Sequence, residues 1–189
     1  MLLRNMILAS LFAALITISS QIAFPLPFSP VPHTLQVLFV MLSGILLGPR
    51  WGAVSVGLWV LLGIFGLPVF AQGKAGLTVL VGPTGGFIAG FGCCAALVGW
   101  LTARCSLTYS RVFISMLIGL TALYTFGMLG FMASFTWFLH KTMTFQQGFL
   151  LVVMPFFPFD VLKIGLAAFL GVRVKQALIH AGMLKDQFQ

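Results

Sequence analysis

From Val112 to Leu139 the sequence contains no charged residue. A helix of about 20 apolar residues crosses the hydrocarbon core of a bilayer, so this run is long enough to span a membrane. The rest of the chain has the same character, since 60% of its 189 residues are hydrophobic and only 6% are charged. Soluble domains carry about 25% charged residues. The sequence therefore predicts an all-α, multi-pass membrane protein that forms a single domain over residues 1–189.

Turn-forming residues divide the chain into six apolar segments that we predict to be transmembrane helices. The predicted spans are Asn5 to Phe24, Leu35 to Leu47, Trp51 to Gly66, Phe87 to Ala103, Val112 to Leu139 and Phe159 to Leu178. Four prolines between Pro25 and Pro32 predict an extended loop before the second span. Gly48-Pro49-Arg50 predicts a tight turn after it. A short apolar piece, Phe145 to Met154, precedes the sixth span.

The distribution of basic residues predicts the orientation in the membrane. The net charge is +8, but the basic residues stand at the ends of apolar segments rather than in the patch that binds nucleic acid. With six spans, the side of the termini holds Arg4, Arg50, Arg104, Arg111, Arg173, Lys175 and Lys185, and the other side holds Lys74 and Lys141. The positive-inside rule then predicts that both termini are cytoplasmic and that the protein lies in the cytoplasmic membrane.

Asp160 is the most informative polar residue of the chain. It is one of only two acidic residues, and the other, Asp186, lies in the polar C-terminal tail. If Pro158 occupies the first turn of a helix, Asp160 falls in the same turn, near the positive end of the helix dipole. Lys163 then shares its face. A charged pair in a membrane span usually faces a cavity or a partner, which predicts a functional site. The alternative is an ion pair that only fixes helix packing.

In this topology three irregular elements lie on the outer side of the membrane: the proline-rich loop, the loop from Phe70 to Gly86, and the start of the sixth helix. Irregular backbone near membrane depth is tolerated where it lines a cavity. We therefore predict a small-molecule site near the outer face, with Asp160 and Lys163 as its polar pair. Its apolar walls are predicted to be Phe28, Phe70, Phe87, Phe156 and Phe157.

Two short motifs have more than one interpretation. The segment Gly82-Pro83-Thr84-Gly85-Gly86 opens the fourth span, where free N–H groups and the Thr84 hydroxyl can receive an anion or a carbonyl. The alternative is an N-cap followed by small residues for close packing. On the first span, Ala9 and Ala13 form a small-xxx-small pair, and Ser10 with Ala14 repeats this spacing beside it. Such a surface lets another helix approach closely, either a partner or a helix of the same chain.

Taken together, the motifs resemble the BioY family. The resemblance rests on Thr34-Leu35-Gln36 after the proline-rich loop, Gly66-Leu67-Pro68-Val69-Phe70 followed by glycines, Gly82-Pro83-Thr84-Gly85-Gly86, and Pro158-x-Asp160-x-x-Lys163. These motifs follow one another along nearly the whole chain. The family comprises the biotin-binding S components of energy-coupling factor (ECF) transporters. The chain departs from the family pattern at Phe159, where glycine is usual, and at Gln72 and Lys74, which interrupt a glycine-rich loop.

The resemblance implies a six-helix subunit that captures biotin near the outer face. The predicted substrate-binding residues are Asp160, Lys163, Thr84, Gly85, Gly86, Phe70, Phe87, Gln36 and Lys74. Ala9 and Ala13 match the family's small-residue motif on the first helix, which implies docking onto a transmembrane coupling protein. That protein works with two ATPases, although some members of the family can act without them. This chain has no Walker A sequence, so ATP hydrolysis would belong to the partners.

Two other functions stay open at this point. An S component for another vitamin, such as thiamine or riboflavin, would use the same scaffold. A membrane enzyme would use His33 or His140 together with Asp160, but three histidines give little material for an acid–base site. The three cysteines lack the spacing of metal ligands and are predicted to be small packing residues. We therefore predict biotin uptake, with no cofactor, metal or catalysis in this chain.

Overall fold

The computed structural model describes residues 2–27, 29–137 and 143–182, and this part of the chain is mostly helical. Its helices are α1 (Leu2–Gln21), α2 (Gln36–Ile64), α3 (Leu77–Val81), α4 (Gly85–Thr102), α5 (Tyr109–Trp137), α6 (Phe145–Val152) and α7 (Phe157–His180). Two strands, β1 (Ala23–Leu26) and β2 (Ser29–Thr34), follow α1, and a 3₁₀ turn, Ala71–Gly73, follows α2. Phe28, His140, Lys141, Lys185 and Asp186, which entered the predictions above, lie outside the described residues.

Several helices have the length and composition of membrane spans. Within the described ranges, α1, α4 and α5 are each long and apolar enough to cross a membrane, and so is α2 by its total length of 29 residues. Together α6 and α7 form a fifth candidate span that is bent by 51°. Large apolar side chains such as Leu129 on α5 and Leu162 on α7 are exposed on the outside of the protein, which suits contact with lipid. The chain is therefore a multi-pass membrane protein.

The helix α2 reverses direction at Gly48. This residue has a φ of 81°, in the left-handed region that glycine adopts without a steric penalty. A Cβ atom on Gly52 would lie 3.0 Å from the Cα atom of Gly44, although eight residues of straight helix extend for about 12 Å. The helix therefore consists of two antiparallel arms, residues 36–47 and 49–64. The turn predicted at this position is confirmed.

The proline-rich segment is extended, as predicted, but it forms a hairpin rather than an unpaired loop. The strand β1 pairs antiparallel with β2, so that Ala23 lies opposite Thr34 and Phe24 opposite His33. Prolines are tolerated here because edge strands leave some backbone N–H positions unpaired. The expectation of an all-α protein is corrected by this small sheet. It brings the end of β2 directly to the start of α2.

Close helix contacts build the core. The helix α2 packs against α1, α4 and α7, and α5 packs against α4, α6 and α7. A Cβ atom on Gly99 of α4 would lie 2.6 Å from the backbone of Gly48 and Pro49, so the reversal of α2 fits directly against α4. Large side chains such as Trp59 and Met116 are fully buried between the helices.

The inner face of α1 contains Ala9 and Ala13, which are 0% and 3% exposed. They lie against the chain's own helices, chiefly α2. In this structure the chain's own helices cover both residues, and their docking onto a partner stays a prediction. The neighbouring residues Ser10 and Ala14 are exposed. Small-xxx-small spacing defines a helix face, but it does not determine which helix covers that face.

Hydrogen bonds fasten the loop after α2 to the helices beside it. The main-chain carbonyl of Val69 accepts from the Ser20 hydroxyl at 2.7 Å and from the Trp59 indole N–H at 2.9 Å. The Gln21 amide donates to the carbonyl of Phe70 at 3.2 Å. Side-chain donors from α1 and α2 therefore hold this loop in place. The Phe70 side chain is 1% exposed and packs edge-on against the Trp59 ring.

Candidate ligand-binding site

A cavity of about 700 Å³, including the part open to solvent, lies where β2, both arms of α2, α4, α5 and the start of α7 meet. Most of the cavity wall is apolar, and its aromatic members are Trp59, Phe70, Phe87, Phe91, Tyr124 and Phe156. The wall therefore resembles that of a site that buries most of a small organic ligand.

Asp160 and Lys163 form a buried ion pair in this wall. The helix α7 begins with Pro158 in its first turn and Asp160 in the same turn, as predicted. The Lys163 Nζ atom donates to Oδ1 of Asp160 at 2.8 Å, and the two residues are 8% and 3% exposed. A buried charge without a partner is strongly destabilising, so each member of the pair allows the other to be present at this depth.

Two neighbouring elements complete the hydrogen bonding of this pair. The Tyr124 hydroxyl, from the middle of α5, donates to Oδ2 of Asp160 at 2.7 Å. The Lys163 Nζ atom also donates to the main-chain carbonyl of Thr34, at the end of β2, at 2.5 Å. The β-hairpin, α5 and α7 are therefore joined through one polar cluster: Thr34, Tyr124, Asp160 and Lys163.

Tyr124 is the main residue that the sequence interpretation missed. It lies within the long apolar run of α5, where no spacing distinguishes it from its neighbours. The only signal in the sequence is that the chain has two tyrosines, and that a buried tyrosine hydroxyl normally has a partner. Trp59 and Phe91 were missed for a similar reason, since they lie within apolar helices whose inward faces are set by packing.

Seven of the nine predicted substrate-binding residues line the cavity, namely Asp160, Lys163, Thr84, Phe70, Phe87, Gln36 and Lys74. The other two, Gly85 and Gly86, are not part of the lining. A Cβ atom on Gly85 would overlap the carbonyl oxygen of Leu80, and one on Gly86 would lie 2.7 Å from the Cα atom of Gly130. In this structure both glycines allow close packing, of α3 against α4 and of α4 against α5.

The Thr84 hydroxyl lines the cavity without capping α4. It donates to the carbonyl of Val79, on α3, at 3.3 Å, and it makes no side-chain hydrogen bond to the first turn of α4. Its side chain therefore ties α3 to the start of α4. This contact keeps the short helix α3 beside the cavity.

The predicted aromatic wall is present in part. Phe70, Phe87 and Phe156 line the cavity, whereas Phe157 does not and is 50% exposed. Consecutive residues of a helix differ in direction by about 100°, so Phe156 and Phe157 cannot both face inward. The fifth predicted wall residue, Phe28, lies outside the described residues.

His33 is also part of the wall. Its ring centre lies 5.3 Å from that of Phe156 and 5.2 Å from that of Phe159. Burial lowers the pKa of His33 below its ordinary value of 6.5, and the nearby Lys163 ammonium lowers it further, while Asp160 acts in the opposite direction. The ring is therefore neutral at pH 7. It packs between two phenylalanines as an aromatic surface.

The cysteines and other possible metal ligands are dispersed. Cys94 is buried beside Gly119, as expected of a small packing residue, whereas Cys93 is exposed and Cys105 is partly exposed. In the described ranges, no group of three or more His, Cys, Asp or Glu side chains is arranged to hold a metal ion.

The cavity and most of the basic residues lie at opposite ends of the helices. The last residues of α1 contact the loop that carries Phe70, and the cavity is lined by the start of α4 and of α7. The far ends of these helices, the reversal of α2 and the start of α5 carry Arg4, Arg50, Arg104, Arg111 and Arg173. The uneven distribution of basic residues that the sequence suggested therefore runs along the axis of the helices, with these arginines at the end opposite the cavity.

The fold and the site define a class: a multi-pass membrane protein with a largely apolar cavity and a buried ion pair at one end of its helices. Comparison with known families shows which family within this class the chain belongs to. The BioY family matches residues 1–180. The chain belongs to the BioY family.

Individual relatives agree with this assignment. The chain is 39% identical over 174 residues to a biotin transporter BioY of Thermotoga maritima. The matched region covers 92% of this chain and 97% of the relative. It is 33% identical over 172 residues to a probable biotin transporter BioY of Pyrococcus horikoshii, covering 91% and 96%. The fold matches the crystal structure of the S-component for biotin from an ECF-type ABC transporter, with a TM-score of 0.82, 24% identity and 92% coverage of each chain.

Proposed function

We propose that this chain captures biotin at the outer face of the cytoplasmic membrane and serves in biotin uptake as the S component of an ECF-type transporter. The observation that carries the proposal is the buried Asp160–Lys163 pair in the wall of an otherwise apolar cavity, in a member of the BioY family. The relatives named above are transporters, and the solved structure with this fold is an S-component for biotin. A function as an enzyme is not favoured.

The chemistry of biotin fits this cavity. Its ureido ring offers two N–H donors and one carbonyl acceptor, and its thiophane ring and aliphatic chain are apolar. The ionised Asp160 can accept from N–H groups, and Lys163 can donate to a carbonyl or a carboxylate. The aromatic wall, including Phe70 and Phe87, suits the apolar parts. We propose that Thr84 and Lys74 serve the other end of the ligand, and that Gly85 and Gly86 position α4 beside it.

The proposed topology has six crossings with both termini in the cytoplasm. The crossings are α1, the two arms of α2, α4, α5 and the bent pair formed by α6 and α7. Each α2 arm is shorter than the roughly 20 residues of an ordinary span, so we propose that the adjoining hairpin and loop complete these crossings. The arginines at the end of the helices opposite the cavity support this orientation through the positive-inside rule. The cavity then opens toward the outside.

We further propose that the protein acts with a transmembrane coupling protein and two ATPases. Ala9 and Ala13 are buried in this structure, whereas the outer face of α1 is open for docking. That face carries Ser10 and Ala14 with the same four-residue spacing and is exposed. Small side chains at these two positions suit close approach of a helix in lipid.

Calorimetry on the purified chain in detergent, without partners, tests the proposed function. We expect saturable binding of biotin to one site per chain, and no comparable binding of thiamine or riboflavin under the same conditions. Biotin is expected to raise the thermal unfolding temperature, because a ligand that binds only the folded state stabilises it. A folded chain that binds thiamine or riboflavin but not biotin would overturn the assignment of the substrate.

Tyr124→Phe tests whether the hydroxyl that holds Asp160 contributes to binding. Loss of this hydrogen bond frees Oδ2 of the carboxylate, so we expect biotin affinity to fall roughly five- to tenfold, about 1–1.4 kcal/mol. The matched control is Tyr109→Phe, because Tyr109 is 46% exposed and does not line the cavity. Equal biotin affinities of the two variants would mean that Tyr124 does not position Asp160 for the ligand.

A further inference from the structure

Gln36 carries a buried hydrogen-bond donor that is not used within the described part of the chain. It is the first residue of α2, is 4% exposed and lines the cavity. Its Nε2 atom is the one buried side-chain nitrogen or oxygen atom among the described residues for which no partner is found. Buried amide groups in folded proteins nearly always have a partner, so an unpaired one next to a cavity points to a ligand.

The β-hairpin fixes which side of the amide is free. The Thr34 hydroxyl lies 3.1 Å from Oε1 of Gln36 and donates to it. The same hydroxyl accepts from the Gln36 main-chain N–H at 3.4 Å, so its own hydrogen is available for the amide oxygen. This arrangement engages the amide oxygen and leaves the two hydrogens on Nε2 for another acceptor.

Thr34 also joins this amide to the ion pair. Its side chain contacts the Gln36 amide, while its main-chain carbonyl accepts from Nζ of Lys163. Lys163 in turn holds Asp160. The cavity wall therefore presents a neutral amide donor and an ammonium group that both contact Thr34, with the Asp160 carboxylate held beside the ammonium group. A carbonyl flanked by N–H groups is complementary to this set, because it accepts from the donors while its N–H groups face the carboxylate.

We infer that the Nε2 atom of Gln36 donates to the carbonyl oxygen of the ligand's cyclic urea, which makes Gln36 a specificity-determining residue for a neutral ureido ring. This inference rests on the proposed function, since it assigns one atom of biotin to one side chain of the same site. A ring that carries only N–H groups at this position leaves the Gln36 amide without an acceptor. Gln36 thereby discriminates against such a ring.

The probe for this role is 2-iminobiotin, in which the ureido carbonyl is replaced by an imino group. This cyclic guanidine is protonated at pH 7 and, like every guanidinium, has donors but no acceptor. The measurement is the ratio of the dissociation constants of 2-iminobiotin and biotin at pH 7, for the wild type, Gln36→Glu and Gln36→Met. Gln146→Glu is the matched control, because Gln146 is exposed on α6 and does not line the cavity.

In the wild type and in Gln146→Glu we expect biotin to bind at least tenfold more tightly than 2-iminobiotin. In Gln36→Glu the ratio should fall at least tenfold, since a carboxylate accepts from the guanidinium and repels the ureido oxygen. In Gln36→Met the ratio should also fall, because biotin loses a donor and 2-iminobiotin does not. Thermal unfolding shows which variants are folded. If Gln36→Glu is not folded, the ratio measured for Gln36→Met tests the inference.

The outcomes separate this inference from the proposed function. If the wild type binds biotin and a folded Gln36 variant has the same ratio of dissociation constants as the wild type, the inference is overturned. The proposal that the chain captures biotin is then unaffected. A folded wild type that binds neither compound overturns both. A fall in the ratio for Gln146→Glu as large as that for Gln36→Glu also overturns the inference, because the effect would then follow from charge anywhere on the protein.

Discussion

Asp160→Asn is expected to weaken biotin binding at least a hundredfold, about 2.8 kcal/mol. The substitution keeps the shape of the side chain and removes its charge. The ammonium group of Lys163 then remains in the cavity wall without its ion-pair partner, and the ligand loses a charged acceptor. Breaking a buried pair by removing one member costs about 3–5 kcal/mol. Calorimetry with biotin measures the loss of affinity, and thermal unfolding in detergent measures the loss of stability.

The control for Asp160→Asn is a double-mutant cycle with Lys163→Met. Each single variant leaves one buried charge unpaired, so both should unfold at a lower temperature than the wild type. The double variant removes both charges and should unfold at a temperature closer to that of the wild type than either single variant. It should still fail to bind biotin. Unchanged biotin affinity in Asp160→Asn would show that the pair only fixes helix packing.

Gly86→Ala is expected to lower the free energy of unfolding by about 1–3 kcal/mol, the usual cost of overpacking. The added Cβ atom would lie 2.5 Å from the carbonyl oxygen of Phe126 and 2.7 Å from the Cα atom of Gly130. These are backbone atoms, which cannot rotate away, so α4 and α5 have to separate. Because α4 carries Phe87 and α5 carries Tyr124, biotin affinity should fall as well.

Gly92→Ala, on the same helix, is the matched control for Gly86→Ala. A Cβ atom on Gly92 has no other atom within 4 Å, so the added methyl group meets no obstacle. Alanine favours a helix over glycine by about 1 kcal/mol, and this variant should be as stable as the wild type or more stable. If the two variants unfold at the same temperature, close approach at Gly86 does not limit the packing of α4 and α5.

The local features of the site could be predicted because they depend on residues that are close in sequence. Pro158 and Asp160 fall in one first helical turn, and Lys163 shares the face of Asp160, whatever the rest of the chain does. The apolar runs likewise fix the class of protein, because so few charged residues leave a membrane as the only suitable surroundings. The proline-rich segment was predicted to be extended, and φ restriction at proline is again a local property.

The faces of the helices could not be predicted in the same way, because apolar residues surround each helix. A helix that is apolar on all sides carries no periodic signal for its inner face. The sequence therefore did not distinguish the buried pair Ala9 and Ala13 from the exposed pair Ser10 and Ala14. The same ambiguity concealed Tyr124, and it left open whether Gly85 and Gly86 contact a ligand or a helix.

The membrane class, the family and the charged pair at the start of the last long helix thus follow from the sequence alone. The surroundings of that pair depend on tertiary packing. The β-hairpin brings the Thr34 carbonyl to Lys163, and α5 brings the Tyr124 hydroxyl to Asp160, over separations of 129 and 36 residues. Contacts over such separations depend on how the helices pack, and that packing is set by many small apolar contacts together rather than by any local pattern.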